Sequence, residues 1–311
     1  MEERVRIQRA RAGGSYFAGP QSGIEFIPSG CKLLDMALGG GWAENRVINI
    51  VGDRSTGKTL LCIEASANFA RKYATGKILY RESEHAFDPQ YAEALGLPLE
   101  QVDFGETPLQ TVEDLFEDID RALALARRRP CLYICDSLDA LSDRAEMQRD
   151  LDEGSYGTDK AKMMSQLFRR LVGKLAEVNL TLIIVSQVRD NIGASFMARK
   201  TVRSGGRALD FYASQVLFLS HLGTLTRTVS KVTRATGVKI KAKVDKNKVG
   251  LPLRDVQFNI KFLYGIDDEQ ACKNWLKEVG EPIPEKGLRR LVERKWREIE
   301  TALLPTHKKY Y

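Results

Sequence analysis

Apolar and polar positions follow two periods along the chain, and each change of period marks a predicted element. Short continuous apolar runs are typical of strands that are buried on both faces. Four such runs are Val47–Val51, Ile78–Arg81, Cys131–Cys135 and Leu180–Val185. Segments with apolar residues three and four positions apart predict helices between these strands. They are Lys58–Ala74, Thr111–Arg128 and Thr158–Asn179. The alternation predicts an α/β fold with a mostly parallel central sheet flanked by helices.

The helix predicted at Thr158–Asn179 has an apolar stripe that can be checked residue by residue. Its charged residues fall on the other faces. The stripe consists of Met164, Leu167, Phe168, Leu171, Val172, Leu175 and Val178. The methionine and the phenylalanine are therefore predicted to be core residues.

The two ends of the chain differ from this alternating centre. The basic first 22 residues predict a short helix and a linker, an arm for protomer docking. After Gly237 the alternating segment VKIKAKVDKNK predicts an edge strand with one basic face. Two charged helices are predicted at Glu269–Val279 and Gly287–Leu304, as a separate small lobe or a surface cap. We therefore expect an arm at 1–22, a core at 23–265 and a helical lobe at 266–311.

Composition narrows the class of protein. The chain has 311 residues, of which 43% are hydrophobic and 29% are charged, as in soluble globular proteins. No apolar run reaches the roughly 18 to 20 residues of a membrane span, and the charged N-terminus does not resemble a signal peptide. An intracellular, cytoplasmic protein is therefore expected. The five cysteines include no CxxC pair, which favours buried thiols over disulfides or a zinc site.

Charge is distributed unevenly along the chain. The net charge is +7, yet residues 82–120 contain twelve acids and no lysine or arginine. Residues 227–261 contain ten basic residues and two acids. Opposite charge on different faces suits a polyanionic partner on one side, or subunits stacked head to tail.

The strongest motif is GDRSTGKT, which follows the first predicted strand and precedes a helix. In this setting it is a phosphate-binding loop, because glycine-rich backbone amides at a helix N-terminus can surround a β-phosphate. Lys58 is predicted to bridge the β- and γ-phosphates, and the Thr59 hydroxyl to bind Mg²⁺. The remaining loop residues predicted to surround the nucleotide are Gly52, Asp53, Arg54, Ser55, Thr56 and Gly57.

Carboxylates follow two other predicted strands. Asp136 ends the strand of LYICDS, where a carboxylate can hold a Mg²⁺-bound water beside the phosphate loop. Hydrolysis also needs a group that positions or deprotonates the attacking water. The segment ILYRESEHAFDP offers Glu82, Glu84 and His85, and spacing alone does not choose among them.

The order of these and further motifs resembles the core of bacterial and phage RecA-type recombinases. After GDRSTGKT come SEHAFDPQYAEALG, YICDSLDAL, MMSQLFRRL, SQVRDNIG, SGGRALDFYAS and DKNKVGLP. The resemblance covers roughly Gly23–Gly265 and implies a RecA-like P-loop NTPase core. The short chain and its divergent C-terminal lobe favour a phage-type member of the family.

The resemblance implies roles for individual residues. Glu84 matches the glutamate that activates the hydrolytic water, and Gln187 matches the residue that senses the γ-phosphate. Asp88 and Tyr91 match residues that contact the adenine ring. Lys246 and Lys248 match lysines that reach the ATP of a neighbouring protomer. ATP and Mg²⁺ are the implied cofactors, and hydrolysis requires an assembled interface.

Two loops of this family grip DNA along the filament axis. The first matches Met147–Gly157 and is acidic here, which leaves Arg149 as its candidate contact. The second follows Gln187, carries many basic residues and little apolar periodicity, and could stack Phe196 on a base. Its candidate DNA residues are Arg189, Phe196, Arg199, Lys200, Arg203, Gly205, Gly206 and Arg207.

The sequence thus predicts an ATP-dependent DNA strand-exchange recombinase. It is expected to form a head-to-tail filament on single-stranded DNA and to pair that strand with homologous duplex DNA. Single-strand-binding and loading proteins are further candidate partners, and no membrane partner is expected. Three alternatives use the same core: a ring helicase, a recombination accessory that binds ATP without catalysis, and a signalling ATPase that DNA does not stimulate.

Overall fold

The centre of the protein is a large twisted sheet, seen in a computed structural model. The structure describes residues 23–84, 86–142, 144, 158–175, 177–190, 201–203 and 206–305. The predicted N-terminal arm lies outside the described residues. Within them the sheet has ten strands, and β1 and β2 form a separate two-stranded sheet.

The four buried strands and the five helices predicted after residue 46 are present, together with elements that the apolar pattern did not predict. The strands are β1 Phe26–Ile27, β2 Trp42–Ala43, β3 Val47–Gly52, β4 Lys77–Glu82, β5 Val102–Asp103, β6 Cys131–Asp136, β7 Leu180–Asp190, β8 Thr201–Arg203, β9 Gln215–Val229, β10 Val232–Asn247, β11 Asp255–Lys261 and β12 Gly265–Ile266. The α-helices are α1 Lys32–Leu38, α2 Lys58–Lys72, α3 Pro89–Ala94, α4 Val112–Ala126, α5 Thr158–Leu175, α6 Gly206–Tyr212, α7 Asp268–Glu278 and α8 Leu288–Ala302.

The sheet is parallel in its centre and antiparallel at one end. Its order is β12-β11-β10-β9-β3-β7-β6-β4-β5, with β8 paired to the end of β7. The strands from β9 to β5 are parallel, whereas β10, β11 and β12 pair antiparallel. The predicted fold class is therefore confirmed. Gly52 lies opposite Gln187 and Glu82 opposite Asp136, so the last residues of β3, β4 and β6 lie at the same edge of the sheet as Gln187 of β7.

A hydrophobic core covers each face of the sheet. On one face, α1 and α2 pack with apolar residues of β10, β11 and the C-terminal helices. On the other face, α4 and α5 pack against β6 and β7. In the predicted stripe of α5, Met164 and Phe168 are completely buried, as expected for core residues. Val172 is 38% exposed, so its place in the stripe was wrong: it lies at the margin of the helix face that contacts the sheet.

The segment VKIKAKVDKNK is not an edge strand, which corrects the prediction. It belongs to β10, which pairs with β9 on one side and β11 on the other. Its alternation has another cause: Ile240, Ala242 and Val244 are buried on one face of the sheet, while the lysines between them face outward. One-sided burial produces a period of two in an interior antiparallel strand as well as at an edge.

The C-terminal helices form one hydrophobic cluster with α1 and β11. The rings of Trp275 in α7 and Trp296 in α8 lie 5.6 Å apart, centroid to centroid. Ion pairs tie α8 to the core, with Lys32 Nζ 2.7 Å from a Glu293 carboxylate oxygen and Arg254 Nη2 2.5 Å from one of Glu300. The helices therefore cover the core on this side. The division of the chain into three domains stays a prediction.

The prediction of buried thiols is confirmed, because all five cysteines are buried and none is in a disulfide. Burial raises the pKa of the Cys31 and Cys62 thiols well above its ordinary value. Among the described residues, no helix is both long enough and apolar enough to cross a bilayer.

Asp35 in α1 is expected to make stability depend on pH. The backbone N–H of Ser29 donates to Asp35 Oδ1 at 2.7 Å, but burial raises the pKa of this carboxyl to about 7. The folded state thus favours the protonated acid, and its contribution to stability is lost as pH rises from about 4 towards 7. Between about pH 5 and about pH 7.5, the thermal midpoint of Asp35→Asn should therefore fall by a few degrees less than that of the unaltered protein. Parallel midpoint profiles for the two proteins would contradict this assignment.

Candidate nucleotide site

The loop of residues 52–59 connects the end of β3 to the start of α2, as its motif predicts. Gly57 precedes the helix at φ 86°, a backbone region that favours glycine, and a Cβ there would lie 2.3 Å from Ile260 Cδ1. The buried Thr56 hydroxyl donates to the Asp53 carbonyl at 2.8 Å. The loop therefore has a fixed shape at the N-terminus of a helix of 15 residues, where backbone amides favour an anion.

Lys58 lies among carboxylates at this edge of the sheet. Its Nζ donates to the Asp53 carbonyl oxygen at 2.7 Å. Burial lowers the pKa of the Lys58 ammonium, while the Asp136 and Glu84 carboxylates act in the opposite direction. The ammonium is thus partly desolvated, which strengthens its attraction for a phosphate.

Asp136 is 5% exposed and has two hydroxyl partners. Tyr80 donates its hydroxyl to Asp136 Oδ2 at 3.1 Å, and Thr59 also hydrogen-bonds the carboxylate. Burial raises the pKa of Asp136, the two hydroxyls lower it, and Glu84 and Glu82 raise it further. A cation beside Asp136 would offset this unfavourable burial of negative charge.

The oxygen donors at this point fit Mg²⁺. A hydroxyl from Thr59 and a carboxylate from Asp136 are the ligand types that the ion prefers, and it usually takes its other ligands from phosphates and water. In the described part of the chain, no group of three histidine, cysteine, aspartate or glutamate residues forms a closed metal site. The Thr59 hydroxyl and the Asp136 carboxylate are thus two protein oxygens that fit a Mg²⁺ ion whose remaining ligands are phosphate and water oxygens.

Glu84 and Glu82 have different surroundings, although sequence spacing treats them alike. Glu84 Oε1 accepts hydrogen bonds from Ser137 Oγ at 2.5 Å and from Gln187 Nε2 at 2.7 Å. Glu82 Oε1 instead accepts from the backbone amides of Glu84 and Ala86, at 3.0 and 2.7 Å. Glu82 thus shapes the turn, and Glu84 points toward the neighbouring strand ends. His85 lies outside the described residues.

Gln187 joins the nucleotide site to the basic loop. Its side chain donates to Glu84, and its backbone N–H donates to Asp139 Oδ2 at 2.6 Å. Three residues further along β7, Asp190 pairs with Thr201 of β8, and Arg189 and Val188 pair with Val202 and Arg203. The two paired strands directly precede and follow residues 191–200 in the sequence, and one of these strands carries Gln187.

The other predicted nucleotide residues have structural partners of their own. Asp88 Oδ1 accepts from the Tyr91 backbone N–H at 3.1 Å and caps α3. Tyr91 is partly buried and packs on the core, where burial raises the pKa of its hydroxyl. Their contact with adenine stays a prediction.

Lys246 and Lys248 both contact the C-terminal end of α6. Lys246 Nζ donates to the Asp210 carbonyl and, at 2.8 Å, to that of Phe211, which also accepts from Lys248 Nζ at 3.2 Å. Cations at a helix C-terminus are favourable, because the last carbonyls lack intrahelical partners. In the single protomer the two lysines thus hold the helix that follows the basic loop.

The predicted DNA residues fall into two groups. The backbones of Arg189 and Arg203 lie in β7 and β8, and those of Gly206 and Arg207 begin α6. Outside the described residues lie Arg149, Phe196, Arg199, Lys200 and Gly205.

Three residues of the site were missed by the sequence analysis: Ser137, Asp139 and Tyr80. In YICDSLDAL, Ser137 directly follows Asp136 and Leu138 separates it from Asp139, so their position just after a strand end was a usable signal. Tyr80 lies inside an apolar strand, where the sequence pattern indicates a core aromatic residue. Its hydrogen bond to Asp136 depends on the fold and has no local sequence signal.

A parallel sheet with a phosphate loop, a buried aspartate and a glutamate at adjacent strand ends defines the class of P-loop nucleoside triphosphatases. The sequence model of the RecA N-terminal domain family matches residues 15–267. The chain therefore belongs to the RecA family of recombinases.

Bacterial relatives agree with this assignment. The chain is 36% identical to Protein RecA of Nostoc punctiforme over 262 residues, which are 83% of this chain and 68% of the relative. For Protein RecA of Thermosynechococcus vestitus the identity is 37%, over 83% of this chain and 69% of the relative. For that of Streptomyces avermitilis it is 39%, over 80% and 63%. Assignment to a phage-type subgroup stays a prediction.

Proposed function

We propose that this chain is a DNA-dependent ATPase that forms a head-to-tail filament on single-stranded DNA and exchanges its strand with a homologous duplex. One observation carries most of the proposal: Glu84, which could act on water, is hydrogen-bonded to Gln187 at 2.7 Å, and Gln187 lies on the strand that leads into the basic loop. Nucleotide state and DNA contact then share one structural element.

ATP binding would use the loop of residues 52–59 and the two oxygen donors beside it. Backbone amides of the loop would surround the β-phosphate, and Lys58 would lie between the β- and γ-phosphates. Thr59 and Asp136 would hold Mg²⁺, which supplies charge neutralisation on the phosphate oxygens. Asp88 and Tyr91 are the candidate adenine contacts.

Glu84 would accept the proton of the attacking water. Its Oε1 accepts hydrogen bonds from two donors, Ser137 and Gln187. A γ-phosphate within reach of the Gln187 amide would compete with Glu84 for the hydrogen bond that Gln187 donates. That exchange would orient Glu84 toward water and shift Gln187, so the base and the sensor would respond together.

Filament assembly would complete the site. Lys246 and Lys248 would give up their hydrogen bonds to the carbonyls of Asp210 and Phe211. They would instead contact the phosphates of ATP bound to an adjacent protomer. Two more positive charges would then stabilise the charge that develops on the transferred phosphoryl group. Release of these carbonyls would also free α6 to move with the DNA loop that precedes it.

DNA contact by the basic loop is testable with a triple variant. Changing Arg199, Lys200 and Arg203 together to alanine should weaken single-stranded DNA binding and abolish DNA-stimulated ATP hydrolysis, because these contacts go mainly to phosphates. Losing three phosphate contacts lowers the slope of log affinity against log salt by about 2 for a single strand. Nucleotide binding without DNA should persist. Unchanged DNA affinity at moderate salt would show that the loop is only a solvated surface.

A further inference from the structure

The strand β7 leaves the central sheet at Gln187. Its pairing with β3 ends with Gly52 opposite Gln187, and its pairing with β6 ends earlier, with Cys135 opposite Ile184. From Val188 onward, within the described part of the chain, β7 pairs only with β8. Gln187 therefore lies at the point where the strand passes from the central sheet to the short pair that borders the basic loop.

A carboxylate holds the backbone of β7 at this point. The Gln187 N–H lies three residues past the last pair with β6, and it donates to Asp139 Oδ2 at 2.6 Å. A hydrogen bond from an N–H to a carboxylate is about twice as strong as one between neutral groups. Asp139 thus extends the contact between β7 and the chain that follows β6 to the residue where β7 leaves the sheet.

Asp139 lies on a turn that is itself well anchored. It is the middle residue of a single 3₁₀ turn directly after β6. Leu138 and Leu141, on either side of it, are buried in the hydrophobic core. The backbone N–H of Ser142 then donates to the Gln110 carbonyl at 3.0 Å. The carboxylate is therefore held on a fixed support.

We propose that Asp139 is a positioning residue that pins the backbone of Gln187 and thereby couples the nucleotide site to the basic loop. This inference rests on the proposed function and names the residue on which its coupling depends. Asp139 does not need to contact nucleotide or DNA for this role, because it acts through the main chain of β7.

The physical reason is the number of arrangements open to the end of β7. Two sites are coupled only when both favour the same arrangement of the element that joins them. With its N–H fixed, Gln187 can meet a γ-phosphate only in one arrangement of β7, and that arrangement also positions β8. Without the fixed N–H, several arrangements would satisfy the nucleotide equally well. DNA affinity would then gain little from ATP.

The charge of Asp139 has a second effect, which variants can separate from the hydrogen bond. Burial lowers the pKa of the Lys58 ammonium, and the charge of Asp139 acts in the opposite direction, as do other acids with larger effects. Asp139→Asn removes the charge and keeps an oxygen that can accept from the Gln187 N–H. Asp139→Ala removes both. A role through the hydrogen bond is therefore lost only in the alanine variant.

The coupling between nucleotide and DNA tests the proposal in the full chain. Binding of a fluorescent single strand is measured with and without a non-hydrolysable ATP analogue, and the ratio of the two affinities is the coupling factor. We expect a factor of at least about 5 in the unaltered chain, a fall to below about 2 in Asp139→Ala, and recovery of most of it in Asp139→Asn. Affinity for the analogue without DNA should change by less than about threefold, because the phosphate loop is intact.

Hydrogen exchange gives a readout that needs neither nucleotide nor DNA. Exchange of a hydrogen-bonded amide requires local opening. The Gln187 amide should exchange at least about tenfold faster in Asp139→Ala than in the unaltered chain, and close to the unaltered rate in Asp139→Asn. Asp139 and Gln187 are both partly exposed, so water can replace the lost carboxylate and the alanine variant should still fold.

Asp103→Ala is the matched control for loss of a carboxylate that holds a backbone amide. Asp103 Oδ1 accepts from the Gly105 N–H at 2.8 Å. It lies in β5, which is separated from β7 by β4 and β6 in the sheet. Its thermal midpoint should fall by a few degrees, as in Asp139→Ala, while its coupling factor and the exchange of the Gln187 amide should match those of the unaltered chain.

Three outcomes would overturn the proposal. One is an unaltered coupling factor, or unaltered exchange of the Gln187 amide, in Asp139→Ala. Another is an equal loss of coupling in Asp139→Asn, which would assign the effect to charge near Lys58. The third is an equal loss in Asp103→Ala, which would make it a general result of lower stability. Failure of the proposed function is distinguishable, since it would appear as a coupling factor of about 1 in the unaltered chain, where amide exchange still tests the contact between Asp139 and Gln187.

Discussion

A chain in which Glu84 is replaced by glutamine is expected to bind ATP normally and to hydrolyse it about 10² to 10⁴ times more slowly. The amide has the same shape, and its oxygen can still accept from Ser137 and Gln187, as Glu84 Oε1 does. Only the ability to accept a proton is lost. Single-turnover hydrolysis and equilibrium nucleotide binding, measured on the same preparation, separate the two effects.

Glu82→Gln is the matched control for this variant. Glu82 lies in the same turn, but its Oε1 accepts backbone amides of Glu84 and Ala86, a role that an amide oxygen can also fill. Its hydrolysis rate should stay near that of the unaltered chain. If Glu82→Gln lost activity and Glu84→Gln kept it, the base would be assigned to the wrong glutamate.

Lys58→Ala should remove nucleotide binding and turnover together. The ammonium is partly buried beside the Asp136 and Glu84 carboxylates, and without it these acids would repel the phosphates. Loss of a charged group that contacts the transferred phosphoryl group costs at least about 10²-fold in rate. Bound ATP would lose the same contact before the reaction, so nucleotide binding should weaken as well. Binding of a fluorescent ATP analogue and steady-state hydrolysis are the measurements.

Lys77→Ala supplies the control for charge alone. Lys77 begins β4, whose other end leads to the site, and its removal changes net charge by the same amount. Nucleotide binding should be retained in this variant. Normal ATP hydrolysis by Lys58→Ala would remove the phosphate-loop assignment altogether.

The parts of the site that lie in one short segment could be predicted from sequence. Lys58, Thr59 and Asp136 each belong to a local pattern in which a strand is followed by a loop or by a helix start. Strands of a parallel sheet end at the same edge, so local patterns were enough to bring these residues together. The core helices and strands that were predicted followed from their apolar periods, because a period is also a local property of the sequence.

Properties that depend on which elements become neighbours were harder to predict. β10 was expected at an edge because alternation reports one-sided burial and does not report the number of paired strands. The contacts of Lys246 and Lys248 with α6 join segments about 35 residues apart. The hydrogen bond between Gln187 and Glu84 joins residues 103 positions apart, so no local pattern contains it.

ATP hydrolysis with and without single-stranded DNA, paired with electron microscopy of the same samples, tests the central claim most directly. A strand-exchange ATPase requires an assembled interface, so the single strand should raise the rate and the images should show helical filaments. Closed rings on DNA would indicate a helicase instead. A rate that single-stranded DNA leaves unchanged would contradict the coupling of nucleotide and DNA through Glu84, Gln187 and β7.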